Sequence, residues 1–487
     1  MKLQQLLSGI TPVRVIGSTD IEVTGLHFDS RRVGKGYAFV AQSGTVVDGH
    51  TFISTCVAQG AVAVVLQDAT YLPTEADGVT YVLVDNSDKA LGIMASHWFG
   101  NPSRLLTLVG VTGTNGKTTI ATLLYKLVRG LGHRAGLLST VVNYIEEEAI
   151  PSTHTTPDAI ELNELLRRMV DAGCEYCFME VSSHSIAQER IAGLEFDGAL
   201  FTNLTRDHID YHKTFDNYRD TKKRLFDHLA KNAFAITNKD DKNGLVMTQN
   251  CAATVCTYST RAMANYRAHI LEEGFDGMLL QLDGQEVFVP LVGRFNVSNL
   301  LCIYGAAVQL GFEKMEILRV LSTLRPVNGR FETISSAKGW TAIIDYAHTP
   351  DAVENVLTTI NEIVESQGQS GKVITVVGCG GNRDRGKRPM MAQIAKRQSD
   401  QLILTSDNPR DEEPEDILKE MAAGLTDDEL RTTLIIEDRA SAIKTACTLA
   451  QAHDVILVAG KGHEDYQIIK GVKHHFDDHE IVREMVE

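Results

Sequence analysis

GVTGTNGKTTI, Gly110–Ile120, follows the apolar run Leu105–Val109 and runs directly into ATLLYKLVRGLG, a helical pattern. Within it, Gly113, Thr114, Asn115, Gly116, Lys117, Thr118 and Thr119 carry the glycines, lysine and hydroxyls of a phosphate-binding loop. A strand, a glycine-rich turn and a helix in that order aim backbone N–H groups and a positive helix end at a polyphosphate. The stretch therefore implies use of ATP or GTP. Lys117 is placed to reach the outer phosphates and Thr118 to offer a hydroxyl to Mg²⁺. The competing reading, a glycine-rich turn with a solvent-exposed lysine, does not explain why strand, loop and helix occur together.

Outward from this loop the chain reads as α/β, with a central mainly parallel sheet of the P-loop ATPase kind. At 487 residues it exceeds one ordinary domain. Three are expected: 1–100, 101–325 and 326–487. The first mixes short strands with a helix near Thr51–Gln59, and HWFGNPSR (His97–Arg104) reads as a linker. In the second, strands CFMEV, GALFTNL and AFAITN alternate with helices such as Ala159–Gly173, and Ala264–Leu291 reads as an antiparallel excursion. After LRPVNGRFE the rhythm restarts as a Rossmann-like α/β unit with its own parallel sheet. Four of its apolar runs open into polar loops, Asp345–Pro350, Gly378–Lys387, Asp407–Arg410 and Gly460–Glu464. Ligands of open α/β sheets bind at the carboxyl ends of strands, so loops converging there form a site.

A net charge of −16 argues against nonspecific nucleic-acid binding and against anionic membrane surfaces. No run of about 18 apolar residues appears, and the start MKLQQLLSGITPVRV lacks a cleavable apolar segment, so a cytoplasmic protein without membrane insertion is expected. The eight cysteines are scattered. The one CxxC, Cys174 with Cys177, reads as structural thiols, because an isolated pair cannot complete a four-ligand zinc site.

Further candidates follow from strand ends. Glu180 closes FMEV and suits Mg²⁺, which prefers oxygen ligands and retains waters; a solvated acid is the plainer reading. His208, in TNLTRDHIDYH, reads as a ligand, with Asp207 either holding its other ring nitrogen or capping a helix. Arg330 and Asp345 lie at the junction with the last unit. There an arginine could neutralise phosphoryl charge, and Asp345, Tyr346 and His348 could cradle a nucleotide; a surface ion or turn former is the alternative for each.

Together with HTTPD (His154–Asp158), MEVSSHSIAQER (Met179–Arg190), GRFNVSN (Gly293–Asn299), DYAHTPD (Asp345–Asp351), GCGGNRDRGKR (Gly378–Arg388), DNPRDEEP (Asp407–Pro414) and AGKGHEDYQ (Ala459–Gln467), these motifs resemble the Mur ligase family over essentially the whole chain. The resemblance implies three α/β domains, binding a uridine nucleotide sugar, ATP and the incoming amino acid. By the same resemblance, Glu180 and His208 are metal ligands with Thr118. Lys222 of YRDTKKRLF is the lysine that becomes N6-carboxylated and helps hold a second Mg²⁺, Tyr218 and Leu225-Phe226 favouring it over Lys223. Asn299, Arg330 and Asp345 match adenine, phosphate and ribose contacts. Ser30, Arg31 and the turn around His50 match uridine-diphosphate positions, and Thr155, Thr156, Ser182, Gln188 and Arg190 match muramoyl-peptide contacts. Pro157 and Ser185 stand where many relatives have glycine.

The form Asp407-Asn408-Pro409-Arg410 goes with meso-2,6-diaminopimelate; relatives that add L-lysine usually lack the arginine. The chemistry fits that pairing. Arg410 can grip the distal carboxylate with a planar fork, while Glu464 and the Gly460 carbonyl face the distal ammonium. A structural Arg410, tied to Asp411 or Glu412, is the alternative. The implied reaction is ATP-dependent addition of diaminopimelate to UDP-N-acetylmuramoyl-L-alanyl-D-glutamate through an acyl phosphate, in peptidoglycan precursor synthesis by a monomer. Three rivals stand beside it. One is an L-lysine-adding ligase of the same family, and another a folylpolyglutamate synthetase, which would not need HFDSRR or DNPR. The third is a GTP-dependent switch, which leaves the four C-terminal loops unexplained.

Overall fold

The computed structural model describes residues 1–44, 47–152, 154–366, 368 and 371–486. Three main sheets follow one another along the chain. The first has five strands in the order Arg14–Ile16, Thr80–Leu83, Ala63–Leu66, Tyr37–Val40 and Gly25–His27, parallel except for the first. The helix expected near Thr51–Gln59 is a 3₁₀ turn, Gly49–Phe52, continued by a helix over Ile53–Ala58.

The second sheet has eleven strands, with Thr107–Thr112 between Gly198–Phe201 and Tyr176–Glu180, all parallel. Thr107–Thr112 is buried along nearly its whole length, as a parallel strand covered on both faces must be. The phosphate loop leaves its carboxyl end and feeds the helix Lys117–Gly130. That helix buries Ile120, Leu123, Leu124, Leu127 and Val128 against one sheet face, each worth roughly 1.5–3 kcal/mol of transfer free energy. The loop is thereby fixed to the middle of the sheet rather than left as a surface turn. The expected antiparallel excursion is present as Tyr266–Gly274, Gly277–Leu282 and Gln285–Val289, and it extends the same sheet. A second one at the opposite edge, Val142–Ile145 with Glu148–Pro151, was not anticipated from the sequence.

The third sheet has six strands in the order Glu332–Ser335, Thr341–Asp345, Val455–Ala459, Val373–Val377, Gln401–Leu404 and Thr433–Ile435, antiparallel only at the first. A hairpin, Tyr466–Ile469 with Val472–His475, stands apart from it. Cys174 and Cys177 are both buried and free, Cys177 on the strand Tyr176–Glu180. No helix among the described residues is long and apolar enough to cross a membrane.

Candidate functional site

The carboxyl ends of the second and third sheets face each other across a cleft. One wall carries Asn115, Gly116, Lys117, Thr118, Glu180 and His208; the other carries Asp407, Asn408, Arg410, Gly460 and Glu464. Arg330 and His348 stand between them. An adjoining cavity is lined by Gly116, Thr119, Phe295, Asn299, Arg330 and Asp345. Residues from all four polar strand-end loops of the third sheet therefore reach this cleft.

The phosphate loop is held open by glycine geometry. Gly116 has φ +87°, and a Cβ there would lie 2.6 Å from the Asn299 side-chain oxygen. Lys117 folds back on the loop, its Nζ donating to the carbonyls of Gly113 (3.0 Å) and Thr114 (2.8 Å). Burial lowers its pKa. Such an ammonium, poorly hydrated and bonded only to neutral carbonyls, is matched to an incoming polyanion. From the linker of residues 322–331 that leads into the third sheet, Arg330 Nη2 donates to Thr118 Oγ1 at 3.0 Å while its guanidinium lies 4.5 Å from the Tyr346 ring centroid. Arg330 Nε is buried without a partner among the described residues, an orphan donor beside the loop. Asn115 Nδ2 crosses the cleft to Asp351 Oδ2 at 3.0 Å.

Lys222 lies beneath the loop rather than on the cleft wall. It is 1% exposed and donates to the Gly113 carbonyl at 2.8 Å, with the Tyr218 ring centroid 4.8 Å away. Burial, and then the nearby Lys117 charge, push its pKa well down. Lys223 turns the other way, to Asp227. The register question between the two lysines thus has a geometric answer: Lys222 is the one against the phosphate loop.

A metal can be tested against these donors. Among the described residues no group of three or more His, Cys, Asp or Glu side chains is arranged to hold an ion. Thr118 and Glu180, an oxygen pair on the cleft wall, suit Mg²⁺, which takes its remaining ligands from water and phosphate oxygens. One Glu180 oxygen already accepts the Thr140 amide at 2.8 Å. His208 sits in the left-handed region (φ 54°), its Nε2 3.3 Å from Asp207 Oδ2. Loss of hydration lowers its pKa to about 3, against Asp207, so the ring is neutral. Asp207 Oδ1 also accepts the His208 amide at 2.9 Å, so one carboxylate takes up both the backbone and the ring. The bare Lys222 ammonium is a donor, and would become an oxygen ligand only once carboxylated.

On the nucleotide-base side, Asp345 accepts the Phe331 amide at 2.7 Å, and burial raises its pKa to about 6 against the pull of Arg330. His348 is neutral for the same reason, its pKa lowered to about 4 by burial, with Nδ1 2.8 Å from the Tyr346 carbonyl. Thr156, Ser182, Gln188 and Arg190 are one network. Thr156 Oγ1 donates to the Glu180 carbonyl at 2.7 Å, Arg190 Nη1 to the Thr156 carbonyl at 2.8 Å, and Arg190 Nε to Gln188 Oε1 at 2.9 Å. Ser182 Oγ accepts the Ser185 amide at 3.1 Å, starting the helix Ser183–Ala187. Thr155 accepts from Thr140 Oγ1 at 3.1 Å and lies on the cleft wall.

Ser30 and Arg31 lie off both cavities, on the five-stranded unit, where Arg31 pairs with Asp29 at 2.6 Å. His50 is held within the same unit by its side chain. Its ring is 1% exposed, with Nδ1 2.7 Å from Asp48 and Nε2 accepting the Gln67 amide at 3.2 Å. These bonds brace the turn.

Arg410 turns into the cleft with φ 55°, its Nη1 donating to the Gly381 carbonyl at 2.8 Å. Glu412, the carboxylate that could have pinned it, pairs instead with the fully buried Arg388 at 2.9 Å. Asn408 Nδ2 donates to Glu464 Oε2 at 2.7 Å. Three basic groups in or beside the cleft escaped sequence reasoning. Lys461, fully buried, lies 3.4 Å from Asn408 Oδ1 and 3.5 Å from Glu464 Oε2. Arg383 and Lys387 also line the wall, Lys387 donating to the His348 carbonyl at 2.8 Å. Their signal was present: basic residues in a glycine-rich loop straight after a strand.

Comparison with known proteins bears on this arrangement. Three family models match: "Mur ligase family, catalytic domain" over 22–99, "Mur ligase middle domain" over 111–307 and "Mur ligase, glutamate ligase domain" over 329–462. The chain belongs to the Mur ligase family. Among Mur ligases it is 58% identical, over 100% of its length and 99% of the relative's, to the UDP-N-acetylmuramoyl-L-alanyl-D-glutamate--2,6-diaminopimelate ligase of Phocaeicola vulgatus. Identity and coverage are the same for the Bacteroides fragilis protein of that name. A solved structure of a ligase so named superposes with TM-score 0.69 at 33% identity, covering 100% of this chain and 98% of the other. A Mur ligase structure from Thermotoga maritima in complex with ADP, 19% identical with TM-score 0.61 over 95% of this chain and 96% of the other, shares the fold.

Proposed function

We propose that this Mur ligase is an ATP-dependent acid–amino-acid ligase that adds meso-2,6-diaminopimelate to UDP-N-acetylmuramoyl-L-alanyl-D-glutamate in peptidoglycan precursor synthesis. The observation that carries the reading is the single cleft in which Lys117 and Arg330 face Arg410 and Glu464. A carboxylate is a poor electrophile, and phosphorylation makes its carbon open to attack. The terminal D-glutamate carboxylate attacks the γ-phosphorus of ATP, ADP leaves, and the amine of diaminopimelate then displaces phosphate from the acyl carbon.

Lys117 and Arg330 hold and neutralise the transferring phosphoryl group, as preorganised cations with little reorganisation to make. Thr118 and Glu180 would hold Mg²⁺, with His208 and carboxylated Lys222 completing a second site. When bound, the metal adds charge neutralisation on the phosphate oxygens. Asn299 and Asp345 take the adenine and ribose ends. Ser30, Arg31 and the His50 turn receive the uridine diphosphate, and the Thr155–Arg190 network the muramoyl peptide. Arg410, Asp407, Asn408, Gly460 and Glu464 position the amino acid, and closure of the walls excludes water that would hydrolyse the acyl phosphate. His348, neutral and facing both cavities, is placed to take the proton of the attacking amine. We read the enzyme as acting as a monomer in the cytoplasm, where ATP is available.

Phosphate release is the test. It should require ATP, the nucleotide dipeptide and diaminopimelate together. Release that is indifferent to the dipeptide, or equally fast with a folate acceptor, would refute the proposal.

A further inference from the structure

A separate cavity opens where the phosphate-loop helix, the linker and the last helix meet. Lys126 comes from the helix Lys117–Gly130, Arg325 from the linker, and Arg483 with His479 from the helix Asp478–Val486. Lys126 is nine residues beyond Lys117, about 13 Å along the helix, so this is not the phosphate loop.

Three of the cations here make no direct ion pair among the described residues. None of Lys126, Arg325 and Arg483 donates a side-chain hydrogen bond or joins an ion pair among the described residues, and Arg483 acts on Glu332 only through space. Lys126 is half-buried, and burial lowers its pKa, so its ammonium lacks both full hydration and a partner. Two carboxylates share the wall, Glu332 and Asp477, and both pair with His479 rather than with these three cations. His479 Nε2 lies 3.0 Å from Glu332 and its Nδ1 2.9 Å from Asp477, while Glu332 also accepts the Gly329 amide at 3.2 Å. Burial works against a charge on His479, while its bonds to the two acids raise its pKa. In a chain of net charge −16, three unpaired cations from three separate segments thus surround one cavity. Two guanidinium forks and an ammonium match the several oxygens of a phosphate group.

We propose that this cavity is an oxyanion site for inorganic phosphate or a phosphate monoester, held by Arg325, Arg483 and Lys126, whose occupant ties the phosphate-loop helix to the C-terminal sheet. The linker that supplies Arg325 also supplies Arg330, which touches Thr118 at the start of the same helix. An occupant therefore steadies Arg330 at the nucleotide site from behind. The inference does not depend on which amino acid is added.

Hydrogen exchange on the full chain tests it, with inorganic phosphate, glycerol 3-phosphate and chloride at matched ionic strength. Phosphate should slow exchange in residues 324–333 and 478–486 by about threefold or more, and chloride should not. The double variant Arg325→Ala/Arg483→Ala should lose that protection and keep phosphate protection at Gly113–Thr119. Lys117→Ala should show the reverse. Protection by phosphate alone identifies released phosphate as the occupant, and protection by the monoester as well identifies a phosphorylated metabolite. The proposal is overturned if neither changes the 324–333 and 478–486 segments while the loop responds, or if protection there survives in the double variant.

Discussion

Replacing Arg410 by methionine separates a substrate contact from a loop support. The loop itself should persist, because its backbone is clamped independently: the Arg410 amide donates to the Ile468 carbonyl at 2.9 Å, and the Lys470 amide to the Arg410 carbonyl at 2.6 Å. What the variant loses is the guanidinium. Nη1 is engaged with the Gly381 carbonyl at 2.8 Å, which leaves the Nε and Nη2 edge for a carboxylate in the cleft. Charge-assisted hydrogen bonds are worth about 1.5–3 kcal/mol each, and two acting on one group give less than their sum. We therefore expect a loss of about 2–4 kcal/mol, which is roughly thirtyfold to a thousandfold in kcat/KM for diaminopimelate. L-lysine has no distal carboxylate, so its kcat/KM, which starts low, should change by less than about threefold. Coupled phosphate-release kinetics with each amino acid give both numbers. A parallel fall for the two amino acids would refute the reasoning and make Arg410 a structural residue of the loop.

Gly116→Ala puts a Cβ 2.6 Å from the Asn299 oxygen at φ +87°, and nucleotide affinity by calorimetry should fall by about tenfold or more. Protein purified with bicarbonate should exceed its sequence mass by one carbon dioxide, lost on acid treatment and absent in Lys222→Met. That variant's kcat should fall by about a hundredfold or more. Arg388 holds Glu412 down to a pKa of about 2, against an ordinary value of 4.5. The stabilisation is thus full above pH 4.5 and disappears as pH falls through about 2. Thermal melts of Glu412→Gln should be destabilised at neutral pH and converge with wild type at the acid end, and equal melting points at pH 7 would contradict this.

Local patterns in the sequence carried the strand–loop–helix around Lys117 and the strand-end loops of the third sheet, because periodicity and glycine placement are short-range signals. The site legible from them is correspondingly the part lying at strand ends. Longer-range partners were out of reach. The resemblance sets His50 in a uridine-diphosphate turn but does not reveal its Gln67 and Asp68 amide partners, which lie 17 and 18 residues away. Lys461 reads as one more polar loop residue until the fold buries it between Asn408 and Glu464. The hairpin Tyr466–His475 clamps the Asp407–Arg410 loop through Gln467 Nε2 to the Asp407 carbonyl at 2.6 Å, a pairing set by tertiary register and not by either segment. The Val142–Pro151 edge hairpin is four residues per strand, too short for its alternation to stand out.

The central claim is spatial, and a crystal structure of the protein with ADP and meso-diaminopimelate tests it directly. The account predicts the distal carboxylate on Arg410, the distal ammonium at Glu464 and the Gly460 carbonyl, and the attacking amine turned toward the wall of Lys117 and Arg330. Diaminopimelate bound outside this cleft, or bound in it with Arg410 facing bulk solvent, would contradict it.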